Sequence, residues 1–376
     1  MDFDLNDEQR LLAESVNRFI ADEYGFEERA RGMRSGTGWR PEIWQQMAEL
    51  GLLGLPFAEE DGGFAGGGVE TMLVMEALGR GLVVEPYLST VIIAGSALRH
   101  AATAAQRAAR VPRIIAGDYL MSLAHAEPLA PRHVLTSRTQ ASPAGGGWAL
   151  SGEKIAVLHG DSAHEFVVSA NTPAGLSLFL VPADAAGLSR EARQAYDGHR
   201  VAALRFDDVK LAGDALLGVE GQGRDVLRTV FDEANAALAA EAVGVMDATL
   251  ALTVDYLKTR MQFGVAIGSF QALQHRAVDL LMLLELSRSM AMLAAVSLGR
   301  DAEERYRNVS AAKVQIGRAG RTIGQQAVQL HGAIGITAEY KVGHGFKRLT
   351  AIDALFGDAD HHLDVIAEAG GLMPII

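Results

Sequence analysis

The feature that most constrains this chain is the unbroken helical periodicity of residues 227–260, repeated at 271–299 and 309–330 and in a shorter stretch after Asp358. Apolar residues three and four apart put one face of each stretch in a core, so the C-terminal part reads as strongly helical. Residues 1–116 read as helices too. Asn6, three residues before Gln9, forms a capping-box pattern ahead of Leu11, Leu12, Val16 and Phe19. Trp44, Met47, Leu50 and Leu53 keep helical spacing until Gly54 and Pro56 end it.

Around Asp118 the texture changes. Tyr119–His125, Trp148–Leu150, Glu165–Ala170 and Leu176–Val181 are short, bounded by turn residues such as Gly145–Gly147 and Pro182, and read as antiparallel strands of a lobe reaching to about Leu217. Helices, then strands, then helices predict a mainly α chain with a central β module, divided at 1–117, 118–222 and 223–376. The glycine-rich stretch Gly62–Gly68 has no preceding strand and no Lys-Ser/Thr pair, so it reads as a plain loop rather than a phosphate cradle.

Composition narrows the partners. Hydrophobic residues make up 49%, enough for a globular interior. A net charge of -12 disfavours nonspecific binding to nucleic acid or an anionic membrane. The absence of cysteine removes disulfides, thiolate nucleophiles and cysteine-ligated metals. The start, MDFDLNDEQR, lacks the basic and apolar regions of a secretion signal, and no charge-free apolar run approaches about 20 residues. A cytoplasmic protein without a membrane span is the expectation.

Arg260-Met261-Gln262-Phe263-Gly264 closes the long helix, and Phe270 and Gln271 open the next, which carries Gln274 and His275. A guanidinium there offers paired charge-assisted donors to a pyrophosphate, and the aromatic ring offers an apolar surface to a flavin or ribityl chain. By itself this is equally what a helical corner with a surface arginine looks like. Three further segments matter: Gln329-Leu330-His331-Gly332-Ala333-Ile334-Gly335, Trp148-Ala149-Leu150-Ser151-Gly152-Glu153-Lys154 and Ala126-Glu127-Pro128. Taken together, and in the order in which they follow one another along the chain, they resemble the signature of the acyl-CoA dehydrogenases over nearly the whole chain.

The resemblance implies an N-terminal helical domain, a β-barrel-like middle domain and a C-terminal four-helix bundle. It implies FAD as cofactor, held by Arg260, Gln262, Phe263, Phe270, Gln271, Gln274, Gln329, Leu330, Gly332, Ala333, Gly335 and Ala126. The expected reaction is α,β-dehydrogenation of an acyl-CoA. A carboxylate in a water-poor pocket takes the α-proton, a hydride leaves for flavin N5, and electrons pass to an electron-transfer flavoprotein. Phe231 and Asp232 match the family's pair on the CoA side, whereas Asn235 replaces its arginine. Ala126 also stands where relatives carry a hydroxyl residue, and Ala156-Val157-Leu158 replaces a Trp-x-Thr-like segment; His125 and His159 are placed to offer donors instead.

The two family positions for the base align with Gly357 and Ala234, so neither holds a carboxylate. Glu241, in the apolar run Ala236–Val243, is the first substitute, because an unpaired carboxylate there is costly and its pKa rises; the plain alternative is an ion-paired glutamate. Asp358 is the second and Asp360 the third. His361 and His362 diverge by about 100° on a helix and read as structural or pocket-lining rather than as metal ligands. The resemblance implies that the segments at Arg260 and Gln329 reach the FAD of a neighbouring subunit, whose own flavin-facing β lobe receives the ring. Because the reaching elements are kept better here than the receiving ones, two assemblies remain open: a homotetramer, or an α2β2 heterotetramer with a paralogous subunit, as in relatives acting on steroid side-chain or dicarboxylic acyl-CoAs. In the second case the chain is either catalytic through Glu241 or noncatalytic, completing its partner's FAD site. A flavin oxidase or monooxygenase of the same fold is a third reading.

Overall fold

The computed structural model describes residues 5–130 and 135–371, so the first four residues of the acidic N-terminus lie outside the described residues. In chain order the helices are α1 (Asp7–Glu23), α2 (Phe26–Arg34), α3 (Pro41–Glu49), α4 (Gly68–Gly81), α5 (Gly95–Ala101) and α6 (Ala104–Ile115). A buried π-helical stretch, Tyr87–Ala94, leads into α5. The strands are β1 (Met121–Ala124), β2 (Gln140–Ala144), β3 (Gly147–Leu158), β4 (Glu165–Thr172), β5 (Gly175–Pro182), β6 (Leu188–Gln194), β7 (Arg200–Leu211) and β8 (Leu216–Leu217). Then come α7 (Gly223–Thr259), the short pair β9 (Met261–Gln262) and β10 (Val265–Ala266), α8 (Gln271–Ser297), α9 (Ala302–His331), α10 (Lys341–Ala354) and α11 (Ala359–Glu368).

Packing groups these elements into two units. The helical unit holds the stretch up to Ala30, Gly68–Val83 and Asn235 onward; the sheet unit holds Arg31–Gly67 and Val84–Ala234. By this grouping α1 and α4 fall in the helical unit, and α3, α5 and α6 in the sheet unit.

In the sheet unit the strand order is β6-β7-β3-β2-β4-β5-β8, with β1 on β4. Gly145 and Gly146 turn β2 into β3. Beneath the sheet, Leu150, Phe166, Val168, Phe179, Val181, Leu204 and Phe206 form a buried cluster, each contributed by a strand that alternates inward and outward residues or is buried throughout. The all-antiparallel expectation is corrected at β4: both β1, with Met121 opposite Glu165, and β2, with Gln140 opposite Asn171, run parallel to it, because the β2–β3 hairpin intervenes and returns the chain in the same direction. Strand β6 carries no apolar signal in the sequence, as every residue from Ser189 to Gln194 is exposed.

In the helical unit, α9 packs against α8, α10 and α11. Helix α1 opens on the expected capping box, with Gln9 N donating to Asn6 Oδ1 at 2.8 Å and Asn6 N donating to Gln9 Oε1 at 3.0 Å. By length and composition alone, α7 and α8 are apolar enough to cross a membrane, which the sequence reading did not expect. Burial separates them: 72% of the apolar window of α7 is buried, against 39% for α8. Helix α8 instead exposes Val278, Leu281, Met282 and Leu286. These four residues form an apolar row on the outer face of the helix.

Candidate active site

One end of the helical unit gathers the residues expected to reach a dinucleotide. Arg260 N donates to Tyr256 O at 2.8 Å, which closes α7 and leaves the Arg260 side chain exposed. The β9–β10 hairpin then turns on Phe263 and Gly264, both with positive φ, and Ile267 N returns to Arg260 O at 2.9 Å. Phe263 is 91% exposed and meets Phe270 edge-on at 6.1 Å between ring centroids. Phe270 sits at the N-cap of α8, where its carbonyl accepts from Leu273 N and Gln274 N but no side chain of its own caps the first amides, beside the exposed Gln271 and Gln274.

The end of α9 lies against the same place. The His331 ring stacks on Tyr256 at 4.5 Å and its Nδ1 bonds Ala327 O, while burial lowers its pKa. These contacts fix the turn that follows, in which Gly332 has φ +64° and ψ −141°, a conformation that a side chain resists. Gln329, Gly332 and Ala333 are exposed there, and a Cβ built on Gly332 meets nothing within 4 Å. Leu330 and Gly335, expected at the cofactor, are instead buried within the unit; a leucine side chain at a helix end gains more from the core than from water. The Gln262 side chain folds back on Met261 O.

In the sheet unit the corresponding motifs point inward. Lys154 Nζ lies in the core and donates to Glu127 Oε1 at 2.6 Å, Ser137 Oγ at 3.0 Å, Ser169 Oγ at 3.0 Å and His125 O at 3.2 Å. Glu127 also accepts from Thr139 N, Thr139 Oγ1 and Arg138 N. Burial raises the Glu127 pKa, but the Lys154 ammonium, Ser137 and the Thr139 amide outweigh it and hold the carboxyl down at about 2. The two histidines expected as flavin donors are also engaged inside. His125 Nδ1 pairs with Ser169 Oγ at 2.8 Å and its ring packs on Phe231, and His159 bonds Ser89 Oγ at 3.1 Å and Val84 O at 2.9 Å. Buried imidazoles lose water and must find partners in the fold. Asp232 is buried and Ala126 half-buried, its carbonyl accepting from Ile155 N at 2.8 Å.

The carboxylates expected to act as base have other partners. Glu241 is not the unpaired carboxylate that its apolar neighbours imply: Arg348 Nε donates to Oε1 at 2.5 Å and Nη2 to Oε2 at 2.8 Å, with both side chains buried. A bidentate guanidinium occupies the lone pairs that a base needs. Asp358 is the exposed N-cap of α11, accepting from His361 N at 2.9 Å, and Asp360 is exposed. Asn235 donates to Phe356 O at 3.5 Å, beside Gly357, and neither Ala234 nor Gly357, the two positions expected to correspond to the family's bases, carries a carboxylate. Arg348 escaped the sequence reading because its partner lies 107 residues away.

Family models cover almost all of this arrangement. The acyl-CoA dehydrogenase N-terminal domain matches residues 6–118, the middle domain 122–209 and the C-terminal domain 221–371. The chain belongs to the acyl-CoA dehydrogenase family. Among its relatives is the "Probable acyl-CoA dehydrogenase YngJ" of Bacillus subtilis (strain 168), 29% identical over 91% of this chain and 92% of that protein. The steroid acyl-CoA dehydrogenase Tcur3481-Tcur3483, solved as a glycine-to-alanine variant, has a chain that superposes with a TM-score of 0.88 at 28% identity, covering 96% of this chain and 97% of that one. The FAD complex of PigA superposes with a TM-score of 0.90 at 25% identity, over 99% and 100%. As a member of this family the chain is part of a flavin-dependent oxidoreductase acting on acyl-CoA. The end of the helical unit fits an FAD pyrophosphate: an exposed guanidinium, an uncapped helix N-terminus and an open glycine turn stand together there.

Proposed function

We propose that the chain is one subunit of a heteromeric, FAD-dependent acyl-CoA dehydrogenase, an α2β2 assembly with a paralogous chain, and that its helical unit completes the flavin site of that partner. The observation that carries this reading is the fate of the carboxylates: both family positions lack one, and Glu241 is held by Arg348. The base that takes the α-proton of the thioester then belongs to the partner. When bound, FAD supplies the acceptor for the hydride that leaves the β-carbon.

This chain's own residues bind and shield. Arg260, the α8 amides and the Gly332 turn would hold the pyrophosphate, and Phe263 would cover apolar cofactor surface. The exposed row Val278, Leu281, Met282 and Leu286 joins the partner. Likeness to Tcur3481-Tcur3483, described as a steroid acyl-CoA dehydrogenase, favours a bulky, ring-bearing acyl group. The electrons leave to an electron-transfer flavoprotein, in the cytoplasm.

Expressing the chain alone and together with its paralogue tests the proposal. Alone it is expected to be colourless and inactive; together the two give flavin absorbance and acyl-CoA-dependent dye reduction. A yellow, active homotetramer of this chain would overturn it.

A further inference from the structure

The corner between α10 and α11 is held from three sides. Lys313 on α9 is fully buried, and its ammonium donates to Ile352 O at 2.7 Å, Leu355 O at 2.9 Å and Asp353 O at 3.4 Å, capping the last carbonyls of α10. Asp353 accepts from Ala359 N at 3.2 Å and pairs with Arg321 at 3.2 Å, tying the start of α11 to the end of α10. Asn235 donates to Phe356 O, and Ser310 bonds His362 Nδ1 at 3.0 Å. Within this frame Phe356 and Gly357 both have positive φ, 55° and 105°. A phenylalanine in that region is strained, and such a backbone persists only where its surroundings over-determine it.

The space beside Gly357 is already taken. A Cβ built there runs into the His361 ring and comes 2.9 Å from His362 Nε2. We infer that the Leu355–Asp358 corner is a fixed stop rather than a catalytic loop: Lys313 holds it in place, and His361 fills the volume from which a base at position 357 would extend. The chain has therefore not merely lost a carboxylate; it has rebuilt the position around an imidazole. This inference rests on the reading that the base belongs to the partner, and adds that no single change at 357 returns one.

A double-mutant cycle tests it on the chain itself. Gly357→Ala is expected to lower Tm by roughly 5 °C in the wild-type background and by about half as much in a His361→Ala background, the remainder being the cost of positive φ. Equal losses in both backgrounds, or no loss, would overturn the claim that the imidazole blocks the position. For the holding residue, Lys313→Met is expected to speed amide exchange at residues 355–359 by about tenfold or more while the neighbouring α9 amides stay protected. Unchanged exchange at the corner would remove Lys313 from that role. In the complex with the paralogue, Gly357→Glu is expected to leave turnover unaltered, whereas a rise would show that this site lacked only its base. The stability cycle reads the chain without partner or flavin, so it stands or fails apart from the subunit proposal.

Discussion

In the sheet unit, the charged members of the family motifs face inward: Lys154 and Glu127 meet each other, and Ser137, Ser169 and Thr139 complete their hydrogen bonds. At the end of the helical unit the reverse holds, with Arg260, Phe263, Gln271, Gln329 and Gly332 all exposed. The first arrangement satisfies itself. The second leaves donors, an aromatic edge that meets Phe270, and an open glycine turn facing solvent, where a ligand can reach them. The difference teaches that motif residues of one family divide into those that the fold consumes and those that it leaves exposed, and that residue type in the sequence does not by itself tell them apart.

The comparison breaks most visibly at Lys154. Replacing it with methionine leaves Glu127 buried without its counter-ion, and removing one partner of a buried pair costs about 3–5 kcal/mol. The Lys154→Met chain is expected to lose its cooperative thermal transition or show it much lower, as followed by circular dichroism. A near-wild-type transition would mean that the network is not what holds these strands.

Glu241→Gln sharpens the comparison inside the helical unit. It breaks the pair with Arg348, so a stability loss of about 2–4 kcal/mol is expected, while turnover per folded heteromer stays within about threefold of wild type. If Glu241 were the base, turnover would fall by at least about 100-fold.

The acid side gives a smaller effect. Glu127 is depressed in the folded state, so its contribution is fully present above the ordinary carboxylate range and is lost as pH falls toward about 2. Urea midpoints measured between pH 5 and pH 3 are expected to drop more steeply for the wild-type chain than for Glu127→Gln. Parallel slopes would contradict the assignment of that carboxylate.

Much of this was legible beforehand, for reasons that differ by element. The long helices announce themselves because their buried faces recur three and four residues apart, and the Asn6–Gln9 cap is purely local. The parallel β1–β4 pairing was not legible, since strand direction depends on what intervenes rather than on the strands' own composition. At the site, the sequence distinguished reaching from receiving segments by residue type. It misjudged Glu241, His125 and His159, because each acquires its partner from a distant part of the chain: Arg348, Ser169 and Ser89. An apolar neighbourhood in sequence says nothing about the counter-ion that folding delivers.

The most direct measurement is the FAD content of the proposed heteromer purified with Arg260→Ala in this chain alone. The side chain is exposed, so the folded assembly is expected to keep its thermal transition within about 0.5 kcal/mol. Loss of one charge-assisted contact to the pyrophosphate predicts cofactor affinity weaker by about 10- to 100-fold. Full flavin occupancy with unaltered affinity would contradict the claim that this end of the helical unit grips the dinucleotide.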